Sequence, residues 1–215
     1  MSELTERYYV HLGAAFARGR LGDLDATDDE GAFEAGQRRG LKMHKFKRNA
    51  DLPRVRRVLS MLTGLAPESL LDIGSGRGAF LWPLLDAFPE LDVTAIDRDQ
   101  QRATDLAAVA SGGTRHLHSA CMDATSLAYP NGAFDGVTML EVLEHMADPQ
   151  RAAREALRVA RRFVVATVPS KEDDNPEHIQ LFDRRTVAAL FEGAGARRVT
   201  VEFVLNHMVL LALVR

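Results

Sequence analysis

Residues Leu70-Leu71-Asp72-Ile73-Gly74-Ser75-Gly76-Arg77-Gly78-Ala79-Phe80 join a run of strand formers directly to a glycine turn and then to a stretch of helical period. Without Cβ atoms at 74, 76 and 78 the backbone can turn sharply and approach another group closely, and the helix that follows offers free N–H groups. A strand that enters a helix through so tight a turn is half of a βα unit. From Ser69 onward the chain repeats that unit, which predicts an α/β domain around a mainly parallel sheet. Strands are expected at Ser69–Ile73, Asp92–Ile96, Arg115–Ala120, Phe134–Leu140 and Arg162–Val168. Helices are expected at Gly78–Ala87, Gln100–Ala110, Pro149–Ala160 and Arg184–Gly193, the last capped by Asp183 and ended by Gly193 and Gly195. The rhythm then breaks. Arg197–Leu205 and Met208–Val214 read as two strands joined by Asn206 and His207, and so short a link makes them antiparallel. A sheet with that ending is not the symmetric six-strand dinucleotide fold.

A length of 215 residues suits one domain with a short appendage, and 46% hydrophobic with 27% charged residues excludes a disordered, collagen-like or coiled-coil chain. A formal charge of -3 excludes a globally basic nucleic-acid protein but permits a local basic patch. The single cysteine, Cys121, can form no intramolecular disulfide and is expected as a small buried residue. Glu3, Glu6 and Arg7 stand where a signal peptide needs an apolar run, and Val204–Val214 is short of the roughly 20 residues of a membrane helix. A cytoplasmic monomer or homodimer with no membrane association is expected.

Acids mark the carboxyl ends of the first three strands. Asp72 precedes the glycines, whose G-x-G-x-G spacing with a nearby acid favours a cationic ligand over a pyrophosphate. Asp97 ends the second strand, where a carboxylate can accept from two ribose hydroxyls. Asp123, with Ala124 behind it, follows the third, placed to take the amino group of an adenine. Beyond the fourth strand come Glu141, Glu144 and His145, which converge on one face if the segment is a helical turn. His178, in the polar loop 173–179 after the fifth strand, is a further candidate ligand. Two carboxylates and imidazoles suit Mg²⁺ or Mn²⁺.

This order of glycines and acids resembles the class I S-adenosylmethionine-dependent methyltransferases, from about residue 60 to the end of the chain. The resemblance implies a three-layer, Rossmann-like fold with a seven-stranded sheet in the order 3-2-1-4-5-7-6 and an antiparallel last strand. It also implies an enzyme with S-adenosyl-L-methionine as cofactor. By similarity Asp72, Gly74, Ser75, Gly76 and Gly78 hold the methionine part, Asp97 the ribose and Asp123 the adenine, with Arg98, Ala124 and Glu141 completing the set. Residues 61–215 form the catalytic domain, and residues 1–60 a helical substrate-binding or lid extension. The E-x-x-E-H segment resembles two metal-using groups, one acting on the 3′-terminal ribose of small RNAs and one on hydroxyls in ubiquinone biosynthesis. It implies a metal at Glu141, Glu144, His145 and His178, while other members of the class carry such segments to shape the pocket; both alternatives stay open. Catalytic candidates are His145, Glu141 and His178. The expected reaction is methyl transfer to a hydroxyl, secondarily an amine, of a small or anionic acceptor, with RNA 3′-terminal ribose as the alternative. A NAD-dependent oxidoreductase would need G-x-G-x-x-G and a sixth parallel strand. A non-catalytic cofactor-binding subunit is a further alternative.

Ahead of the first strand, Arg38, Arg39, Lys42, Lys45, Lys47, Arg48, Arg54, Arg56 and Arg57 face one acid, Asp51. This stripe is either a solvated helix face or a contact for an anionic substrate such as a phosphate ester or RNA, with His44 and Phe46 inside it. Residues 1–37, including Tyr8, Tyr9, His11 and Phe16, are expected as helices or a flap over the substrate. Phe80 and Trp82 are expected in the core.

Overall fold

A computed structural model describes residues 2–26, 28–48, 52–172 and 174–214. The strands are β1 Ser69–Ile73, β2 Asp92–Asp97, β3 Leu117–Cys121, β4 Phe134–Leu140, β5 Ala160–Pro169, β6 Arg198–Val204 and β7 His207–Leu213. They form one seven-stranded sheet in the order β3-β2-β1-β4-β5-β7-β6. The run Phe163–Pro169 of β5 is buried without interruption, as expected of a parallel strand covered on both faces.

The chain divides into two compact units, Met1–Ala50 with Ser75–Cys121, and Asp51–Gly74 with Met122–Arg215. Segment 2–48 packs as part of a unit that includes β2 and β3. In this first unit β2 and β3 pair in parallel from Val93↔Leu117 to Asp97↔Cys121. Helices α1 (Glu3–Arg7), α2 (Val10–Leu21), α3 (Asp29–Arg38), α5 (Leu81–Ala87) and α6 (Gln100–Ser111) belong here. Helix α2 buries Leu12, Ala14, Phe16 and Ala17 and lies so close to α6 that a Cβ at Gly19 would stand 1.9 Å from the Ala108 carbonyl oxygen. Phe46 stacks on Phe16 and on Trp82, whose indole N–H donates to the Lys45 carbonyl at 2.9 Å. Tyr9, Phe16, Phe46, Phe80 and Trp82 are therefore core residues.

The second unit holds α4 (Pro53–Leu65), α7 (Pro149–Val159) and α8 (Arg184–Gly193) with the remaining strands. β4 pairs in parallel with β1 and β5, and β7 runs antiparallel to β5 and β6. Helix α8 opens on a capping box in which Asp183 and Thr186 satisfy each other's backbone N–H.

Some boundaries that differ from expectation have local reasons. Helix α5 starts at Leu81 because Gly78, at φ +83°, cannot be helical. The last turn is Leu205-Asn206, so His207 begins β7. β3 starts and ends later than expected, which leaves Cys121 at the strand end and exposed, a correction to its expected burial. Among the described residues no helix is long and apolar enough to cross a membrane.

Candidate functional site

In an open α/β sheet the carboxyl ends of the parallel strands carry the ligand-binding groups. In the second unit Asp72 sits one residue short of the end of β1, almost wholly buried, and accepts the Thr138 hydroxyl of β4 at 2.7 Å. Gly74 follows at φ +71°, and a Cβ there would lie 2.6 Å from a methyl of Val142.

In the first unit the turn continues through Ser75, whose N–H donates to the Ile96 carbonyl, and Gly76, whose N–H donates to Asp97 Oδ2 at 2.9 Å. A Cβ on Gly78 would meet the Trp82 ring at 1.9 Å. Asp97, 4% exposed at the end of β2, also accepts the Asp99 N–H through Oδ1, and Arg102 stands 3.6 Å from Oδ2. Each oxygen thus has one protein amide donor, and a carboxylate oxygen has capacity for a second. A buried, charge-balanced acid with acceptor capacity left on both oxygens fits a vicinal diol such as ribose. Arg98 is exposed, and its carbonyl accepts from the Cys121 thiol.

Asp123, in the second unit, is exposed and folds an Asx turn, accepting both the N–H and the hydroxyl of Thr125 at 2.7 Å. Ala124 is half-buried beside it. Helix α7 clamps this loop. Glu155 accepts the Leu127 N–H, Arg158 donates to the carbonyls of Leu127 and Tyr129, and Arg151 donates to that of Thr125. The Arg158 guanidinium holds the Glu155 carboxyl below its usual range, with help from the Leu127 N–H.

Beyond β4 the expected convergence of four groups divides. Glu141 adopts φ +56°, which interrupts the helical turn needed to bring it over Glu144 and His145. Its N–H donates to the Thr167 carbonyl, and its Oε1 accepts the Thr167 hydroxyl at 2.7 Å. Its Oε2 lies 3.0 Å from His207 Nε2, and Arg54 Nε is 3.8 Å from Oε1. Glu141 is therefore not among the grouped metal-ligand candidates, a correction to the four-ligand expectation. Glu144, His145 and His178 do come together, with ligand atoms all within 4.8 Å of one another. Glu144 is 1% exposed and sits in the 3₁₀ turn Leu143–His145. His145 Nδ1 is 2.8 Å from the Glu177 carbonyl, which can only accept, so Nδ1 carries a proton and in the neutral ring Nε2 keeps the lone pair. The 174–180 segment is fastened to this turn by Ile179 N–H to Glu144 O and by the Gln180 amide to the carbonyls of Leu143 and Met146. Asp173, in the same loop, lies outside the described residues.

Thr167 and His207 escaped sequence reasoning, and Arg54 was read only as one of the basic stripe. The signal for His207 is topological, because only the antiparallel sense of β7 returns the start of a strand to the carboxyl end of β5, where Pro169 pairs with His207.

The basic stripe is largely spoken for. Arg38 pairs with Glu34, Lys45 with Asp105, Arg48 with Asp86, Arg54 with Glu141 and Arg57 with Glu202. Phe46 is buried, and Asp51 lies outside the described residues.

Residues 37–201 match a family described as a methyltransferase domain. Over 145 residues the chain is 37% identical to the 27-O-demethylrifamycin SV methyltransferase of Amycolatopsis mediterranei, covering 62% of this chain and 53% of that protein. It is 29% identical over 123 residues to the demethylmenaquinone methyltransferase of Thermus thermophilus, covering 56% of each. The chain thus spans about half the length of these curated relatives. Among solved structures, a SAM-dependent methyltransferase from Aquifex aeolicus aligns with TM-score 0.62 at 23% identity, covering 75% of this chain and 89% of that one.

Proposed function

This chain belongs to the methyltransferase-domain family, and we propose that it transfers a methyl group from S-adenosyl-L-methionine to a hydroxyl of a small molecule. The observation that carries this reading is Asp97, a buried acid at the end of β2 that fastens the glycine turn through Gly76 and keeps acceptor capacity for a diol. Asp97 is assigned to the ribose hydroxyls, and Asp72 with the turn Gly74–Gly78 to the methionine part. Asp123 and Ala124 take the adenine, and Arg98 borders the ribose site. When bound, the cofactor supplies a sulfonium-activated methyl as electrophile. The chain's own residues align the acceptor, exclude water and accept a proton. Segment 2–48 is assigned to acceptor binding. The relatives named for 27-O-demethylrifamycin SV and demethylmenaquinone support a small-molecule acceptor.

A second reading adds a divalent cation at Glu144, His145 and His178, which would orient an acceptor oxygen and lower its pKa. The bond from His145 Nδ1 to Glu177 favours it, because a backbone carbonyl on one ring nitrogen is the usual way a ligating histidine is oriented. Five of the nine residues of the basic stripe have acidic partners within the chain, which weighs against RNA as the acceptor.

The test is release of S-adenosylhomocysteine with catechol and simple alcohols as acceptor probes, beside a Mn²⁺ titration of metal-stripped protein. Product release with saturable Mn²⁺ binding that a Glu144→Gln variant loses supports both readings. Product release without Mn²⁺ binding leaves Glu144, His145 and His178 as pocket-shaping residues. Failure to bind S-adenosylhomocysteine removes the first reading.

A further inference from the structure

The group around Glu141 lies outside the glycine turn, the acids after β2 and β3, and the Glu144 cluster. Its geometry has the elements of a general-base pair. Glu141 is fixed twice to one residue, through its N–H to the Thr167 carbonyl and through Oε1 to the Thr167 hydroxyl. Thr167 is fully buried, so this anchor is rigid. The second carboxylate oxygen faces His207 Nε2 at 3.0 Å. A carboxylate only accepts, so Nε2 carries a proton, and in the neutral ring Nδ1 presents the lone pair. No hydrogen bond to Nδ1 is formed among the described residues, and the His207 side chain is 24% exposed. Arg54, on α4, is a further charged group beside Glu141, at 3.8 Å.

The backbone makes the same point. Glu141 holds φ +56°, a region costly for a side chain with a Cβ, and in which strain collects at sites where surrounding structure over-determines a geometry. Relaxing that residue into a helical turn would carry the carboxylate off Thr167 and His207. The sheet order supplies the partner, since β7 is antiparallel and so delivers its first residue to the carboxyl rim of β5.

We propose that His207 Nδ1 accepts the proton of the acceptor hydroxyl, with Glu141 and Thr167 as positioning residues that fix the tautomer and offset the imidazolium charge. As the acceptor oxygen forms its bond to the methyl carbon, the carbon–sulfur electron pair leaves with sulfur as a neutral thioether, and the hydroxyl proton passes to Nδ1. The imidazolium then returns that proton to water. This inference rests on the methyltransferase reading.

The experiment uses the full chain, with histidine ring nitrogens observed by ¹⁵N NMR without cofactor, and S-adenosylhomocysteine binding measured on the same samples. The expected result is a neutral His207 with its proton on Nε2, in slow exchange with water, and slow exchange lost in Glu141→Ala. Methyl transfer to catechol gives the second readout. In His207→Ala kcat is expected to fall by about 10²–10⁴-fold, with the affinity for S-adenosylhomocysteine unchanged, and His207→Gln is not expected to recover it. A Thr167→Val variant is expected to lower kcat less than His207→Ala does. A proton on Nδ1 while S-adenosylhomocysteine still binds overturns the pair alone, whether or not catechol is turned over. Retention of kcat within threefold in His207→Ala does the same. Absence of S-adenosylhomocysteine binding by the wild type overturns the underlying reading and this inference with it.

Discussion

Gly78 shows how much one residue carries. Its φ of +83° is unfavourable for any side chain, and a Cβ would run into the Trp82 ring, which is itself held by Lys45 and Phe46. Gly78→Ala is expected to destabilise the protein by about 1–3 kcal/mol and to weaken cofactor binding, because the turn moves with the indole. Denaturant unfolding with parallel calorimetry checks this, and an unaltered midpoint would contradict it. The glycines, Asp72, Asp97 and Asp123 were legible in the sequence because each stands at or just past the carboxyl end of a recognisable strand. Glu141 was legible as a candidate residue but not in its position. Nothing in the run 141–145 announces a left-handed residue at its head, and without that φ the helical spacing groups Glu141 with Glu144 and His145. His207 was hidden for a different reason, since its neighbours come from chain segments far away in sequence.

At the scale of elements, the α7 clamp and the β6–β7 hairpin make opposite predictions. Glu155 has a folded-state value held below its ordinary 4.5 by Arg158, so its stabilising contribution is present above that pH and is lost as the pH falls below it. Glu155→Gln is expected to cost about 1–2 kcal/mol at pH 7 and to show a shallower acid loss than the wild type. Acid titration curves of the same slope for both proteins would contradict this. In the hairpin, Leu205 is 76% exposed at φ +53°, so it bears left-handed strain with little burial in return. Leu205→Gly is expected to stabilise by several tenths to about 1 kcal/mol, read as a rise of roughly 1–4 °C in Tm. A fall in Tm would show that the leucine makes a contact that matters. The sequence announced this hairpin by its lack of room for a helix, yet placed the turn one residue late. Leucine is a poor turn former, whereas Asn206-His207 looked like a better one.

For the whole molecule, alternation of βα units and the terminal hairpin were enough to anticipate a mainly parallel sheet with an antiparallel end, whereas the seven-stranded order followed from the resemblance carried by the glycines and acids. The role of the basic stripe was not legible, because a run of arginines reads the same whether its partners are acids of the same chain or phosphates of another molecule. The structure gives Arg38, Lys45, Arg48, Arg54 and Arg57 acidic partners within the chain. The fold and its acids fit the binding of S-adenosyl-L-methionine. Titration calorimetry with S-adenosylhomocysteine on the wild type and on Asp97→Asn addresses this. Saturable one-to-one binding is expected, weakened about ten- to hundredfold in the variant, with wild-type Tm raised by about 5–10 °C at a hundredfold excess over Kd. A folded wild type that takes up no S-adenosylhomocysteine, or an Asp97→Asn variant that binds it equally well, would contradict the assignment.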